Sequence, residues 1–147
     1  MRLPLPLFLA GCAAAIICSA GELCAQTNGS ASTKDGVYTR DQAERGQQVF
    51  ITLCKSCHTP ESHTMPAFVS KWEGKLLSEL FQYIRDEMPK NEPGSLAIEE
   101  YADVLAYILR LNGMPAGADE LPADANQMKS VRVQIMSSRP KAVRKDP

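Results

Sequence analysis

Beyond its first 25 residues this sequence is short of the side chains that most disulfide and metal chemistry requires. Of five cysteines, Cys12, Cys18 and Cys24 precede residue 26, so a cut after Ala25 leaves only Cys54 and Cys57. That excludes a disulfide-dense framework. There are two histidines, His58 and His63, which leaves few partners for a zinc site. Charge of one sign is also missing: the formal net charge is -1, favouring neither nucleic acid nor an acidic partner. The one apolar run, Leu3 to Cys18, is too short and too broken by Pro4 and Pro6 to read as a membrane-spanning helix. No internal repeat is visible, so a single functional unit is expected.

What is present begins with an export signal. Arg2 precedes the apolar run, and small residues follow it, with Ala20 and Ala25 as candidate cleavage points. Residues 1–25 therefore read as a signal peptide, and the periplasm as the destination. An alternative lies in Leu9-Ala10-Gly11-Cys12, which resembles the lipobox of bacterial lipoproteins and would give a membrane association through an acylated Cys12. Residues 26–37, rich in Gly, Ser, Thr, Asn and Lys, read as a flexible leader. Charge is unevenly spread. Residues 26–128 hold 9 Lys and Arg against 15 Asp and Glu, and residues 129–147 hold 6 against 1. An acidic body with a basic end is able to orient a docking partner by its field, or is simply solvated surface.

The apolar periodicity predicts three helices. The first begins near Arg40 with Thr39 as N-cap and Gln42 completing a capping box, and carries Ala43, Gly46, Val49/Phe50 and Leu53 on one face. Gly46 costs about 1 kcal/mol against Ala inside a helix, a cost explained by close approach of another helix. The second spans Gly74 to Glu87 on Leu76, Leu77, Leu80, Phe81 and Ile84, and Pro89 stops it near Met88. The third runs from about Ile98 to Asn112, buries Tyr101, Val104, Leu105, Ile108 and Leu111 or Leu109, and ends on Gly113. Residues 59–71 read as loop. Val131 to Ile135 alternates like a strand with nothing evident to pair with, and Ser137 to Pro147 reads as disordered.

The first helix delivers the chain to Cys54-Lys55-Ser56-Cys57-His58, a C-x-x-C-H motif of the kind that attaches haem c. One turn of chain sets two thiols where each can form a thioether to a haem vinyl group, and the adjacent histidine reaches the iron. At ordinary Cys and His usage the pattern arises by chance in about one chain of this length in a thousand. A thioredoxin-like pair would need a βαβ context, and a zinc site more ligands than His58 and His63 supply. One haem is therefore expected, held through Cys54 and Cys57, with His58 as one axial ligand. For the opposite axial position Met65, Met88, Met114, His63 and the methionines nearer the end compete. Met88 lies 30 residues past His58, with enough chain to pass round the haem edge, whereas Met65 and His63 would need a tight loop. His63 reads as an exposed loop residue or, less favoured, as a pH-sensitive group near the haem.

The sequence resembles the class I monohaem cytochromes c, especially the bacterial periplasmic group that serves quinoprotein and other dehydrogenases. The resemblance covers about residues 38–115. It is carried by Gly46-x-x-x-Phe50, Cys54-x-x-Cys57-His58, Pro66-Ala67-Phe68, Trp72-x-Gly74, Met88-Pro89, Pro93-Gly94-Ser95-Leu96 and Tyr101 to Leu109. It implies an all-α fold with three main helices around one haem, and Met88 as the distal ligand. It also implies packing of Gly46 and Phe50 against Val104 and Tyr107. Pro66 is implied as the carbonyl acceptor for the His58 Nδ1 proton, and Trp72 as a side chain closing the pocket near the haem propionates. Ala97 departs from the usual helix cap, which Ser95 would then supply. Residues 116–147 are left as a C-terminal extension, partly disordered. The implied activity is one-electron transfer rather than catalysis, with a dehydrogenase as donor, an oxidase or another cytochrome as acceptor, and no nucleic-acid partner. The protein would be a monomer or the haem subunit of a dehydrogenase complex; a haem sensor or peroxidase would instead need an open sixth position.

Overall fold

The computed structural model describes residues 31–135, so the export signal, Cys12 and the basic end beyond Ile135 lie outside the described residues. Four α-helices carry the fold: α1 (Arg40–Val49), α2 (Pro66–Trp72), α3 (Leu77–Glu87) and α4 (Ile98–Leu111). The class is all-α, as expected, and α1, α3 and α4 are the three main helices.

Helix α4 is the centre of the molecule. From Tyr101 to Leu109 every residue is buried, so the middle of this helix is enclosed on all sides. Helix α1 crosses it at Gly46. A Cβ added there would lie 1.8 Å from the Asp103 carbonyl oxygen and 2.9 Å from the Val104 nitrogen, so the two backbones meet where no side chain fits. Beside this contact Arg45 forks onto Asp103, with Nε and Nη2 at 2.9 and 3.0 Å from the two carboxylate oxygens. One turn further on, the Phe50 and Tyr107 rings pack with centroids 5.3 Å apart. Helix α4 ends as its sequence requires. Gly113 has φ 75°, its N–H donates to Arg110 O at 3.0 Å, and the Met114 N–H donates to Leu109 O at 3.2 Å.

Several local expectations are corrected. Residues 66–71, expected as loop, form α2 together with Trp72, with Pro66 in the first turn where its missing N–H costs nothing. Gly74 does not start the second helix. It holds φ 78°, and α3 begins at Leu77, where the Glu79 carboxylate accepts from the Leu76 N–H at 3.2 Å. Ser95 does not cap α4. Ala97 occupies the N-cap position, and Glu100 Oε2 accepts from its N–H at 2.9 Å. Thr39 does cap α1, accepting from the Gln42 N–H at 3.1 Å. The Gln42 side chain is used elsewhere: buried, it donates to Leu121 O at 2.9 Å and accepts from Leu121 N at 2.7 Å.

That last pair belongs to a clasp joining the two ends of the described chain to the helices. Within the expected leader Thr33 is fully buried, and just after it the Tyr38 hydroxyl donates to Met114 O at 2.7 Å. Gly117 crosses Gly36 so closely that a Cβ would lie 1.8 Å from the Gly36 carbonyl oxygen. Arg45 reaches Glu120 at 2.9 Å. The alternation at residues 131–135 does find partners on both sides. Arg132 bridges Ser32 in parallel and Leu76 in antiparallel sense, while Val131 and Val133 turn inward. The Leu77 and Gly74 N–H groups donate to Val131 O and Val133 O, each at 2.8 Å, and the Thr33 N–H donates to Arg132 O at 2.9 Å. Residues 31–37 and 116–135 thus pack onto the helical body.

Candidate functional site

Helix α1 does not continue unchanged to the C-x-x-C-H motif. From Phe50 to Cys54 it widens into a π-helical turn, closed by the Lys55 N–H donating to Phe50 O at 2.9 Å. Such a turn inserts one residue into the helical register and is common at functional sites. Here it keeps Phe50, 1 % exposed, in the core. The following turn is tight: the Cys57 and His58 N–H groups donate to Cys54 O at 3.1 and 2.9 Å. It brings Cys54, Cys57 and His58 to the wall of one cavity. Both cysteines are free thiols, Cys54 half-buried and Cys57 exposed, and burial pushes the Cys54 thiol pKa up.

The cavity measures about 690 Å³. It is also lined from α3 and the residues after it by Leu80, Ile84 and Met88. Met88 is half-buried at the helix end, where its N–H donates to Ile84 O at 3.0 Å and its carbonyl accepts from the Tyr101 hydroxyl at 2.9 Å. Val104 and Ile108 of α4 line the cavity as well. Trp72, 4 % exposed, lines the cavity from the end of α2 with Phe68 and Tyr83 against its ring, at centroid distances of 6.5 and 5.3 Å. The Lys71 ammonium sits 3.7 Å from the Tyr83 ring centroid.

Cys54, Cys57, His58, Trp72 and Met88 therefore meet around one space although they span 35 positions of sequence. Pro66 does not reach that wall. It opens α2 as an exposed residue, and no hydrogen bond joins it to the His58 ring. His63 is not the exposed loop residue favoured by the sequence: it is half-buried and lines the cavity, nearer to the alternative of a group beside the haem. Its ring meets Phe50, His58 and Phe68, and burial pulls its pKa down. Its carbonyl accepts from Asn112 Nδ2 at 2.9 Å. No sequence period marks this residue, because a single 3₁₀ turn, Pro60–His63, delivers it.

The donor set and the cavity fit haem c. Two thiols two residues apart, with a histidine next to the second, stand at the edge of an apolar space. Leu53 lines that space while 43 % exposed, an arrangement suited to covering by a large flat apolar group. Among the described residues no group of three or more His, Cys, Asp or Glu side chains comes together to hold a bare metal ion. No described helix is long and apolar enough to cross a membrane.

Residues 41–108 match the family model described as cytochrome c oxidase, cbb3-type, subunit III. The matched stretch contains Cys54, Cys57, His58 and Met88 and all four helices except the first residue of α1 and the last three of α4. No curated protein and no solved structure matches the chain. With the fold and the motif, the match supports a c-type monohaem cytochrome domain over residues 41–108, with covalently bound haem c and haem-based electron transfer.

Proposed function

We propose that the protein is an exported, periplasmic one-electron carrier whose haem lies between His58 and Met88 and takes its electrons from a dehydrogenase. The observation that supports this reading is an apolar cavity lined by Cys54, Cys57, His58 and Met88 together. Haem c supplies one-electron exchange between ferrous and ferric iron. The chain's own residues do the rest. Cys54 and Cys57 would hold the macrocycle through thioethers, and His58 and Met88 would ligate its iron. The Tyr101 hydroxyl fixes the Met88 carbonyl at 2.9 Å, which restrains the segment presenting the sulfur. Leu80, Ile84, Val104 and Ile108 keep water from the apolar faces, which with a methionine ligand raises the reduction potential. Trp72, buried on the same cavity, would close the pocket beside the propionates. The partners are a dehydrogenase donor and an oxidase or cytochrome acceptor.

The test is the long-wavelength sulfur-to-iron charge-transfer band of the ferric protein. Wild type and Met65→Ala are expected to show it, and Met88→Ala to lose it. A wild type without the band, whose ferrous form binds carbon monoxide rapidly, overturns Met88 ligation and favours a sensor or peroxidase. A second reading, the haem subunit of a larger oxidoreductase, is favoured by the description of the matched family as an oxidase subunit. Co-purification with a stable partner supports that reading, and a monomer supports the free carrier.

A further inference from the structure

The geometry points to His63 as a positioning residue that fixes the plane of the His58 imidazole. This rests on the reading of His58 as an axial ligand. The His58 ring makes no hydrogen bond to any described residue, and the aromatic side chain it meets is His63, with centroids 5.3 Å apart and planes at 59°. Rotation of an imidazole about its second side-chain torsion is otherwise broad, so the neighbouring ring decides where it rests.

His63 is itself rigidly held. Phe50 meets its ring edge-on at 5.4 Å and 81°, and Phe68 at 5.7 Å and 65°. Its Nδ1 lies 3.1 Å from Ser62 Oγ and 3.4 Å from Thr59 O. Its carbonyl accepts from Asn112 Nδ2 at 2.9 Å, and that nitrogen also donates to Ile108 O at 2.9 Å. Asn112, 7 % exposed, thereby ties the His63 turn to the end of the central helix. The imidazole is an anchored wall, and its exposed face meets the residue whose orientation matters most to the iron. Groups around a metal-bound histidine govern its orientation and through it the metal's electronic state.

The experiment is proton NMR of the full-chain ferric holoprotein, where the order and spread of the haem methyl resonances report the axial imidazole plane. His63→Ala is expected to change that pattern and shift the midpoint potential. His63→Phe, which restores a ring edge, is expected to bring the pattern back towards wild type. Asn112→Ala, which releases the turn but keeps the imidazole, is expected to give a smaller change than His63→Ala. A His63→Ala protein that melts earlier but keeps the wild-type methyl pattern overturns the inference and leaves His63 as filler between Phe50 and Phe68. If the wild-type ferric spectrum shows no nitrogen ligand, or His58→Ala retains one, the reading of His58 has failed instead.

Discussion

Replacing Gly46 by Ala is the sharpest test of the packing that places the site. The added Cβ would lie 1.8 Å from the Asp103 carbonyl oxygen and 2.3 Å from its carbon, both backbone atoms in the enclosed middle of α4. Neither atom has a rotamer by which to yield, so α1 and α4 must separate. Overpacking of a well-filled core costs about 1–3 kcal/mol, and a backbone clash belongs at the upper end. Ala recovers about 1 kcal/mol of helix propensity, leaving a net loss of about 2 kcal/mol. For a domain of this size that corresponds to a fall in Tm of about 10 °C. Separation also loosens the Phe50–Tyr107 contact one turn later, so the haem environment should broaden along with the melt. Circular dichroism melting of the wild-type and G46A holoproteins measures this directly. A variant as stable as wild type, or more so, would refute the claim that close backbone approach is the reason for glycine here.

Three further perturbations have defined outcomes. Gln42→Leu leaves the Leu121 N–H and carbonyl without their partners and should cost about 1–3 kcal/mol in urea unfolding, against almost nothing for the exposed Gln48→Leu. Arg45→Met strands Asp103, whose side chain is 11 % exposed, so its cost should exceed the roughly 0–1 kcal/mol of a surface pair and change little with salt. Tyr38 is a pH reporter, because burial raises its pKa above the ordinary value of 10.0. The unfolded chain then ionises first on the alkaline side. Stability from this tyrosine is full below about pH 10 and is lost as pH rises through the folded pKa, a dependence that Tyr38→Phe should remove from alkaline urea titrations.

The chemistry of the site and the frame around it were legible because each rests on local pattern. The C-x-x-C-H motif is five consecutive residues, and the apolar stripes of α1, α3 and α4 recur at helical spacing. Gly46 announced a helix contact because glycine is expensive inside a helix. What escaped reading depends on partners distant in sequence. Helix α2 has seven residues and opens with proline, too short to display a period. Val131 to Ile135 alternates correctly, but its partners are 31–33 and 74–77, which no local rule identifies. Gln42 satisfies a capping pattern on paper, yet its amide forms two better hydrogen bonds with Leu121 in the core. His63 looked like a polar loop residue until the Asn112 bond and the Phe50 and Phe68 rings gave it a place.

The packing of 31–38 and 114–135 also changes the boundary of the folding unit. The family match ends at residue 108, but Met114, Leu121, Met128 and Val133 are as buried as the helices they cover. Truncation at residue 115 should therefore expose this apolar surface and abolish cooperative thermal unfolding.

The central claim is a single haem held by the Cys54–Cys57 turn, and intact mass spectrometry of the purified protein tests it most directly. The account predicts the polypeptide mass plus one haem, resistant to acid extraction, and loss of the covalent haem when Cys54 and Cys57 are both replaced by Ala. A wild-type mass equal to the bare polypeptide, or covalent haem that survives the double replacement, would contradict it.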